Sequence, residues 1–156
     1  MSLDRARAHL KRFGLEDRII EFEVSSATVA LAAEALGTEP SRIAKSLSFA
    51  MGEGAILVIA AGDARVDNKK FKERFATKAK MLPFDDVERL IGHGVGGVCP
   101  FGVSDGVSVY LDKSLKRFDV VYPAAGTAAS AVRLTLSELE AACPGAEWVD
   151  VTSVPV

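Results

Sequence analysis

Large apolar residues recur at every second position in Leu47, Phe49 and Met51, which predicts a strand over residues 45–51, and the wholly apolar run of residues 55–61 predicts a second strand. The sequence Gly52-Glu53-Gly54 stands between them and is typical of the turn of a β-hairpin. This hairpin is the clearest feature of the pattern. Further strands are predicted at residues 19–24, 80–82, 107–111, 120–122, 131–134 and 148–151, the last of them at an edge.

Helical spacing of apolar residues separates many of these strands. Ser26, Asp67 and Thr135 precede three of the helical segments, and these residue types cap helix N-termini well. Because helices and hairpin-joined strands are interleaved, the sequence favours an α+β fold with a mixed sheet over a purely parallel one. The predicted helices are residues 2–13, 27–36, 69–80, 86–91 and 136–142, with a short helical turn from Pro40.

The composition is that of a soluble globular protein. With 156 residues, one domain over residues 1–156 is expected, and 49% apolar and 26% charged residues are enough for a core and an ordinary surface. The start, Met1-Ser2-Leu3-Asp4-Arg5, does not resemble a signal peptide, and no apolar run reaches the ~20 residues that span a bilayer. A cytoplasmic protein without a membrane partner is therefore predicted.

The cysteines and histidines give no sign of a metal or cofactor site. Cys99 and Cys143 form no CxxC pair, which favours a reducing compartment. With His9 and His93 as its two histidines, the chain has no zinc-type ligand cluster. No metal and no cofactor are expected, although a metal site built from carboxylates alone stays open.

One segment carries much of the positive charge. The net charge of the chain is −2, but residues 69–80 hold six basic residues and one acidic residue. Such a patch indicates a localised contact with a polyanion, and a solvated helix face is the alternative interpretation. The basic residues of this segment are Lys69, Lys70, Lys72, Arg74, Lys78 and Lys80.

Residues 96–102, Gly-Gly-Val-Cys-Pro-Phe-Gly, have the most informative backbone sequence of the chain. Glycine permits positive φ and close approach by another molecule, and proline fixes its own φ and restricts the residue before it. Such a segment is able to point several backbone N–H groups at one developing negative charge. A tight loop between a helix and a strand is the alternative, because Gly and Pro mark turns more often than sites.

Lys45 is the second candidate for chemistry, at the start of a predicted inner strand. Alternation places it on the apolar face that carries Leu47 and Phe49, where a lysine is seldom buried without a partner. Its side chain either reaches solvent at the end of the sheet or faces a pocket and binds an anionic group. Cys99 is not favoured as a nucleophile, and His93, among glycines, is expected in a surface loop.

Four stretches of the chain, taken in order, form a longer pattern. They are Ile43-Ala44-Lys45-Ser46-Leu47, the segment 62–70, the loop 96–102, and Ala125-Gly126 followed by Val132-Arg133-Leu134 and Ser137-Glu138-Leu139. Together they resemble the YbaK/prolyl-tRNA-synthetase-associated editing domain family. In the same order, the four stretches are similar to the family's Lys-Ser/Thr-Leu strand, to the segment that enters its next helix, to its GxxxP loop, and to its closing turn, strand and helix. The resemblance covers residues 20–142, which is most of the chain.

The resemblance implies a fold and an activity. The fold is a single α+β domain whose mixed sheet curls into a partly open barrel flanked by helices. The activity is hydrolysis of the ester that joins a wrong amino acid to tRNA, commonly tRNA(Pro), by a free-standing enzyme that works in trans. The implied partners are the acceptor end of mischarged tRNA and, second, prolyl-tRNA synthetase.

Roles for individual residues follow from the same resemblance. Lys45 would hold the phosphate or ribose of the terminal adenosine, and residues 69–80 would contact tRNA phosphates. Backbone amides of the GxxxP loop would stabilise the oxyanion and position water. In cysteine-specific relatives the substrate's own thiol is thought to attack, so the nucleophile is left open. The implied catalytic set is Lys45 with the backbone of Gly96, Gly97, Val98, Cys99 and Pro100.

The size of the pocket would set which amino acid is removed. After Gly126, the segment 127–131 lacks the charged residues of some cysteine-type members, which tilts the prediction toward alanine or another small residue. A non-catalytic module that binds an aminoacyl-adenosine end or a protein partner is the alternative function. The candidate substrate-binding residues are Phe22, Thr28, Ser46, Phe101 and Gly126.

Overall fold

A computed structural model describes residues 2–23 and 28–155 of the chain. The helices are α1 (Ser2–Lys11), α2 (Val29–Leu36), α3 (Asn68–Phe75), α4 (Phe84–Ile91) and α5 (Leu136–Ala142). The strands are β1 (Ile19–Glu21), β2 (Ile43–Met51), β3 (Gly54–Ala61), β4 (Arg65–Val66), β5 (Ser108–Asp112), β6 (Val120–Pro123), β7 (Ser130–Val132), β8 (Leu134–Thr135), β9 (Glu147–Val149) and β10 (Thr152–Ser153). Short 3₁₀ helices cover Glu16–Arg18, Pro40–Arg42 and Lys113–Arg117.

The main sheet has six strands in the order β8-β6-β2-β3-β5-β9. Its centre is the predicted hairpin: β2 and β3 run antiparallel, and Met51 pairs with Gly54 across a two-residue turn. β2 pairs in parallel with β6, and β3 in parallel with β5, so the sheet is mixed. β9 lies at one edge, as predicted for residues 148–151. The predicted α+β fold with a curled mixed sheet is confirmed.

Three helices, α1, α4 and α5, bury their apolar sides on one face of this sheet. Each large apolar side chain removed from water contributes about 1.5–3 kcal/mol, so this layer is the main source of stability. The buried residues of the layer include Ala6, Leu10, Val87, Ile91, Leu139 and Ala142 of the helices and Leu57, Ile59 and Leu111 of the sheet.

α3 packs on the opposite face of the sheet. Ile56 and Val58 alternate with the residues of the main core along β3, so their side chains point the other way. They form a second cluster in which the rings of Phe49 and Phe71 lie 4.8 Å apart between centroids. Phe71 and Phe75 stand four residues apart on α3, as their spacing predicted, with ring centroids 4.7 Å apart.

Several predicted bounds were wrong. The basic helix predicted over residues 69–80 ends at Phe75, because Ala76 adopts a left-handed conformation (φ 60°) that closes the helix. The predicted strand 131–134 is divided between β7 and β8, which pair with different partners. α4 starts at Phe84 rather than at residue 86. Ser26, the predicted cap of α2, lies outside the described residues.

Residues 2–23 and 28–155 contain neither a membrane-spanning helix nor a metal-binding cluster. Among these residues, no helix is both long enough and apolar enough to cross a bilayer. The same part of the chain has no group of three or more His, Cys, Asp or Glu side chains arranged to hold a metal ion.

Candidate active site

A cavity of about 400 Å³ opens beside β2, between α2, α4 and the glycine-rich loop 94–98. One of its walls is β2 itself, where Ala44, Ser46 and Ser48 share one face of the strand. Lys45 lines the cavity from the same strand, and Gly96 and Val98 line it from the loop. Two segments that the sequence singled out separately therefore border one space.

The ammonium of Lys45, a lining residue of this cavity, is held by two backbone carbonyl groups. Its Nζ donates to the carbonyl oxygens of Gly62 (3.3 Å) and Ala64 in the turn that follows β3. Burial of the side chain lowers the pKa of Lys45, and the nearby carboxylate of Asp63 partly offsets this effect. Two of the three N–H donors are bonded to backbone, so the ammonium is oriented and one donor is left for a ligand.

The turn that receives Lys45 is itself fixed from two sides. Gly62 packs so closely on α2 and the Pro40 turn that a Cβ there would lie 2.8 Å from a methyl group of Val29. The Asp63 carboxylate forms a bidentate pair with Arg117, with contacts of 2.6 and 3.1 Å. The Arg117 hydrogen bond is the main reason why the pKa of Asp63 lies below its usual value. These contacts give Lys45 a preorganised position.

The glycine-rich loop alternates between cavity and interior. Gly96, with φ 95°, and Val98 line the cavity, while Gly97, Cys99 and Pro100 are buried. The Gly97 amide donates to the Gly94 carbonyl oxygen over 3.0 Å, so it is not available to a ligand. Within the described residues the amides of Gly96 and Val98 have no hydrogen-bond partner. Pro100 has no N–H to donate, so its one effect on the site is to restrict the backbone conformation of the loop.

The thiol of Cys99 faces the core and not the cavity. It is fully buried, and burial raises its pKa to about 12. His93, predicted in a surface loop, is also fully buried: its Nε2 lies 2.6 Å from the Phe101 carbonyl oxygen and 3.6 Å from the Cys99 sulfur. Burial lowers the pKa of His93, so the neutral ring fits this place. The prediction for His93 was wrong because its glycine neighbours in the sequence do not show that α1 packs over this part of the loop.

Ser46 offers an unpaired hydroxyl in the wall of the cavity. Its Oγ is buried and has no hydrogen-bond partner among the described residues. A buried hydroxyl without a partner costs about 1–3 kcal/mol, a cost that a ligand accepting or donating one hydrogen bond would remove. Ser46 is therefore a candidate contact for a polar group inside the cavity.

Three other predicted substrate contacts have different places. Phe101 is fully buried in the main core, where its ring is tilted against that of His9 with the centroids 5.7 Å apart, so the structure does not bring it to the cavity. Gly126 lies behind the loop, packed against Gly97 and Ser2. Phe22 is half-buried after β1, bonded through its amide to Ala129 (2.8 Å), and is not among the described lining residues.

Thr28 lines the cavity and also caps α2, since its Oγ1 accepts from the Leu31 amide over 3.2 Å. Other lining residues were missed because pairing and packing place them there, although the period of two along β2 would have pointed to two of them. The missed residues are Val29, Ala32, Ile43, Ala44, Ser48, Met81, Leu82, Phe84, Val87, Val95, Tyr122, Ala124, Ser130 and Ala131.

The six basic residues of the segment 69–80 fall into two groups. Lys70 pairs with Asp150 (3.1 Å), and Arg74 pairs with Glu147 (2.6 Å). The other four are exposed, with no ion pair among the described residues; they are Lys69, Lys72, Lys78 and Lys80. Lys80 lies in an extended segment beside β2, and its backbone carbonyl oxygen accepts a hydrogen bond from the Ala50 amide. This contact places Lys80 near the cavity wall.

The sequence of this region matches a known protein family. The family model described as "Aminoacyl-tRNA editing domain" matches residues 23–142. The chain belongs to this family. The match contains Lys45, the loop 96–100 and most of the cavity wall.

Individual relatives agree with this membership. The chain is 51% identical over 153 residues to the uncharacterized protein YwhH of Bacillus subtilis (strain 168), covering 97% of each chain. It is 32% identical over 89 residues to the proline–tRNA ligase of Geobacillus kaustophilus (strain HTA426). That match covers 56% of this chain and 16% of the ligase, so the likeness is to one part of a much longer protein.

Solved structures of other proteins have the same fold over nearly the whole length of this chain. A crystal structure described as "a putative trans-editing enzyme for prolyl tRNA synthetase" superimposes with a TM-score of 0.86 and 31% identity, covering 97% of each chain. The crystal structure of the hypothetical protein APE2540 superimposes equally well, with 28% identity over 96% of this chain and 99% of the other.

Proposed function

We propose that this protein hydrolyses, in trans, the ester bond of a mischarged aminoacyl-tRNA. The observation that carries the proposal is the placement of Lys45 and the loop residues Gly96 and Val98 around one cavity. Lys45, whose ammonium has one donor left, and a backbone segment with unpartnered amides border the same cavity. This pairing of an anion anchor and oxyanion donors is what hydrolysis of an activated ester needs.

In this proposal the Lys45 ammonium binds an oxygen of the terminal nucleotide, on its ribose or phosphate. The ester carbonyl then lies against the loop, where the amides of Gly96 and Val98 donate to the oxygen as it becomes an oxyanion. One such donor is worth about 3 kcal/mol of barrier lowering. The Gly97 amide is left out of the set, because the Gly94 carbonyl oxygen already uses it.

No side-chain nucleophile is required, because an aminoacyl ester is already activated. The Cys99 thiol is buried with a pKa of about 12, which makes it a poor candidate for attack. Water therefore attacks the carbonyl carbon directly, or a nucleophilic group of the substrate attacks first and water then opens the cyclic product. The leaving group is the ribose hydroxyl of the tRNA, and the products are a free amino acid and uncharged tRNA.

The preference for a small amino acid rests on the segment 127–131, and the cavity wall is compatible with it. Ala44, Ala124 and Ala131 are small, and Ser46 and Ser48 add two hydroxyl groups to an apolar surface. Alanine fits such a wall, and cysteine or serine would also find a hydroxyl partner. We propose alanine or another small residue as the amino acid removed, tRNA(Pro) as its carrier and prolyl-tRNA synthetase as the source of the error.

The exposed lysines of the segment 69–80 supply the contact with the tRNA backbone in this proposal. Lys69, Lys72, Lys78 and Lys80 have no carboxylate partner among the described residues, so their charges are available to phosphates. Lys70 and Arg74 are engaged in ion pairs and contribute less. The cytoplasmic location stays a prediction.

A deacylation screen tests the proposal. Purified protein is incubated with a panel of tRNAs charged with alanine, cysteine, serine and proline, and release of the free amino acid is followed over time. Faster release of one small amino acid than of proline supports the proposal. Binding of charged tRNA without release above the spontaneous rate would instead favour the non-catalytic binding module.

A further inference from the structure

Exposed apolar side chains concentrate at the mouth of the cavity. Three of the large hydrophobic residues that line the cavity are also exposed to solvent: Met81 (52%), Phe84 (74%) and Val95 (55%). In the described part of the chain, two other large hydrophobic residues are comparably exposed, Leu31 and Val154, and neither lines the cavity. Apolar surface gathered at the rim of a pocket indicates that a ligand covers it.

Phe84 is held in this exposed position by the backbone. It is the first residue of α4, directly after Pro83, whose φ of −58° and ψ of 147° set the direction in which the helix begins. The next residues along α4 turn inward, since Val87 and Ile91 belong to the main core. The backbone of Phe84 is therefore placed at the rim by a helix that the core anchors, and its side chain is exposed there.

We propose that Phe84, with Met81 beside it at the rim, is the stacking platform for the terminal nucleobase of the substrate. This inference rests on the proposed function. In every tRNA the amino acid is esterified to the ribose of the terminal adenosine, so an ester held at the loop 96–98 places the adenine within one nucleoside of it. Adenine is the one large flat surface so close to the ester.

The chemistry of the rim matches a base better than an amino acid or a phosphate. Aromatic side chains bind bases through their π-faces, and each stacking interaction is worth about 1–3 kcal/mol. Asp85 follows Phe84 directly, and its exposed carboxylate would repel a phosphate but not a neutral base, whereas the Asp86 carboxylate is paired with Arg89 at 2.8 Å. A cavity of about 400 Å³ is also larger than an alanyl group needs, which leaves room for part of the nucleoside.

Binding of two short probes tests this inference without any need for hydrolysis. The first probe is the trinucleotide CCA, and the second is the same trinucleotide with an abasic site in place of the last adenosine. The wild-type protein is expected to bind CCA about tenfold more tightly than the abasic probe. Phe84→Ala should bind CCA about tenfold more weakly and the abasic probe as well as before, as removal of one stacking interaction predicts.

Two further variants separate stacking from a structural role. Phe84→Trp keeps a larger aromatic face and should retain the affinity for CCA, with its indole fluorescence quenched when CCA binds. Leu31→Ala removes an equally apolar, exposed side chain outside the cavity and should leave binding of both probes unchanged. Circular dichroism melting curves of all three variants confirm that the fold is retained.

Three results would overturn the inference. The first is equal affinity of the wild-type protein for CCA and the abasic probe. The second is an equal fall in the affinity for both probes in Phe84→Ala. The third is a wild-type dimer in light scattering that Phe84→Ala converts to a monomer, which would assign the rim to an interface between copies. If the probes behave as expected but no charged tRNA is hydrolysed, the nucleobase platform stands and the hydrolytic proposal fails.

Discussion

Gly97 packs its backbone directly against that of Gly126, so that a Cβ on Gly97 would overlap the Gly126 carbonyl and lie 2.6 Å from the Thr127 amide nitrogen. The turn after β6 thus supports the loop 94–98 from behind. Both glycines belong to motifs that the sequence singled out as parts of one site. The structure gives them a shared role in fixing the loop, while Gly96 and Val98 face the cavity.

Gly97→Ala is expected to displace the loop, because backbone atoms on the other side cannot move aside as a flexible side chain would. We expect a loss of about 3 kcal/mol in the free energy of unfolding, near the upper end of ordinary point mutations. Deacylation should fall with it, since the amides of Gly96 and Val98 would move. Urea denaturation and deacylation rates measure the two effects.

Gly94→Ala is the matched control in the same loop. A Cβ there would lie 3.4 Å from the flexible carboxylate of Glu88, and no backbone atom is near. Its unfolding midpoint should stay close to that of the wild-type protein. Equal stability of Gly97→Ala and Gly94→Ala would show that the packing against Gly126 does not constrain the loop.

Cys99→Ala should keep most of the deacylation activity, because the thiol faces the core and its pKa is about 12. Truncating a buried side chain of this size costs about 1 kcal/mol of stability, so the variant should fold. Iodoacetamide at pH 7.5 should not inactivate the wild-type protein. Rapid inactivation, or a folded Cys99→Ala without activity, would mean that the thiol takes part in the reaction.

The free energy of unfolding should fall as pH drops below 6.5. Burial lowers the pKa of both His9 and His93 in the folded protein, so the unfolded chain, with ordinary values near 6.5, binds more protons below that pH. Two protons correspond to a slope of at most about 2.7 kcal/mol per pH unit. Urea midpoints between pH 8 and pH 5 measure this loss.

The two histidines also titrate separately from the carboxylates. Hydrogen bonds lower the pKa of Asp63, Asp67 and Glu138 in the fold, so their contribution is lost only at lower pH, below about 4. Because the chain has two histidines, NMR should resolve both ring signals, each with a midpoint below 6.5. Midpoints at or above 6.5, with constant stability from pH 8 to pH 5, would contradict the burial of these rings.

The four unpaired lysines of the segment 69–80 should matter for tRNA and not for a small substrate. The quadruple variant Lys69→Ala, Lys72→Ala, Lys78→Ala and Lys80→Ala is expected to raise the KM for charged tRNA severalfold. The slope of log affinity against log salt should become shallower by about one for each phosphate that a lysine no longer neutralises. Aminoacyl-adenosine, which lacks the tRNA backbone, should be hydrolysed at the wild-type rate.

Lys11→Ala, an exposed lysine on α1, is the matched control for removal of positive charge. It should leave the KM for tRNA and the salt dependence unchanged. If Lys11→Ala raised the KM for tRNA as much per charge removed as the quadruple variant does, the protein would attract tRNA through its overall charge and not bind it at this segment.

Local patterns predicted the elements of the fold well where one physical signal dominates. The two strand patterns on either side of Gly52-Glu53-Gly54 predicted the central hairpin. The capping box of Thr135 and Glu138 marks the start of α5, where both reciprocal hydrogen bonds are present. The end of α3 was missed because the helix is closed by Ala76 in a left-handed conformation. Alanine seldom adopts this conformation, so its presence in the sequence does not predict a helix end.

The site could be predicted in part. The Lys-Ser-Leu and Gly-rich motifs pointed to Lys45, Gly96 and Val98, which line one cavity. Phe101 was a predicted substrate contact, but its ring is fully buried in the core, because the sequence alone did not show which side of the loop the ring occupies. The rim residues were missed, because exposure of an apolar side chain depends on which elements cover it and not on its neighbours in the chain.

Single-turnover deacylation of alanyl-tRNA(Pro) by Lys45→Ala, beside the wild-type protein and Cys99→Ala, tests the central claim most directly. The claim is that an anchored ammonium and loop amides act on the ester without a side-chain nucleophile. We expect wild-type and Cys99→Ala rates within a few-fold of each other, and a rate about 100-fold lower for Lys45→Ala. A folded Lys45→Ala that releases alanine as fast as the wild-type protein would contradict the account.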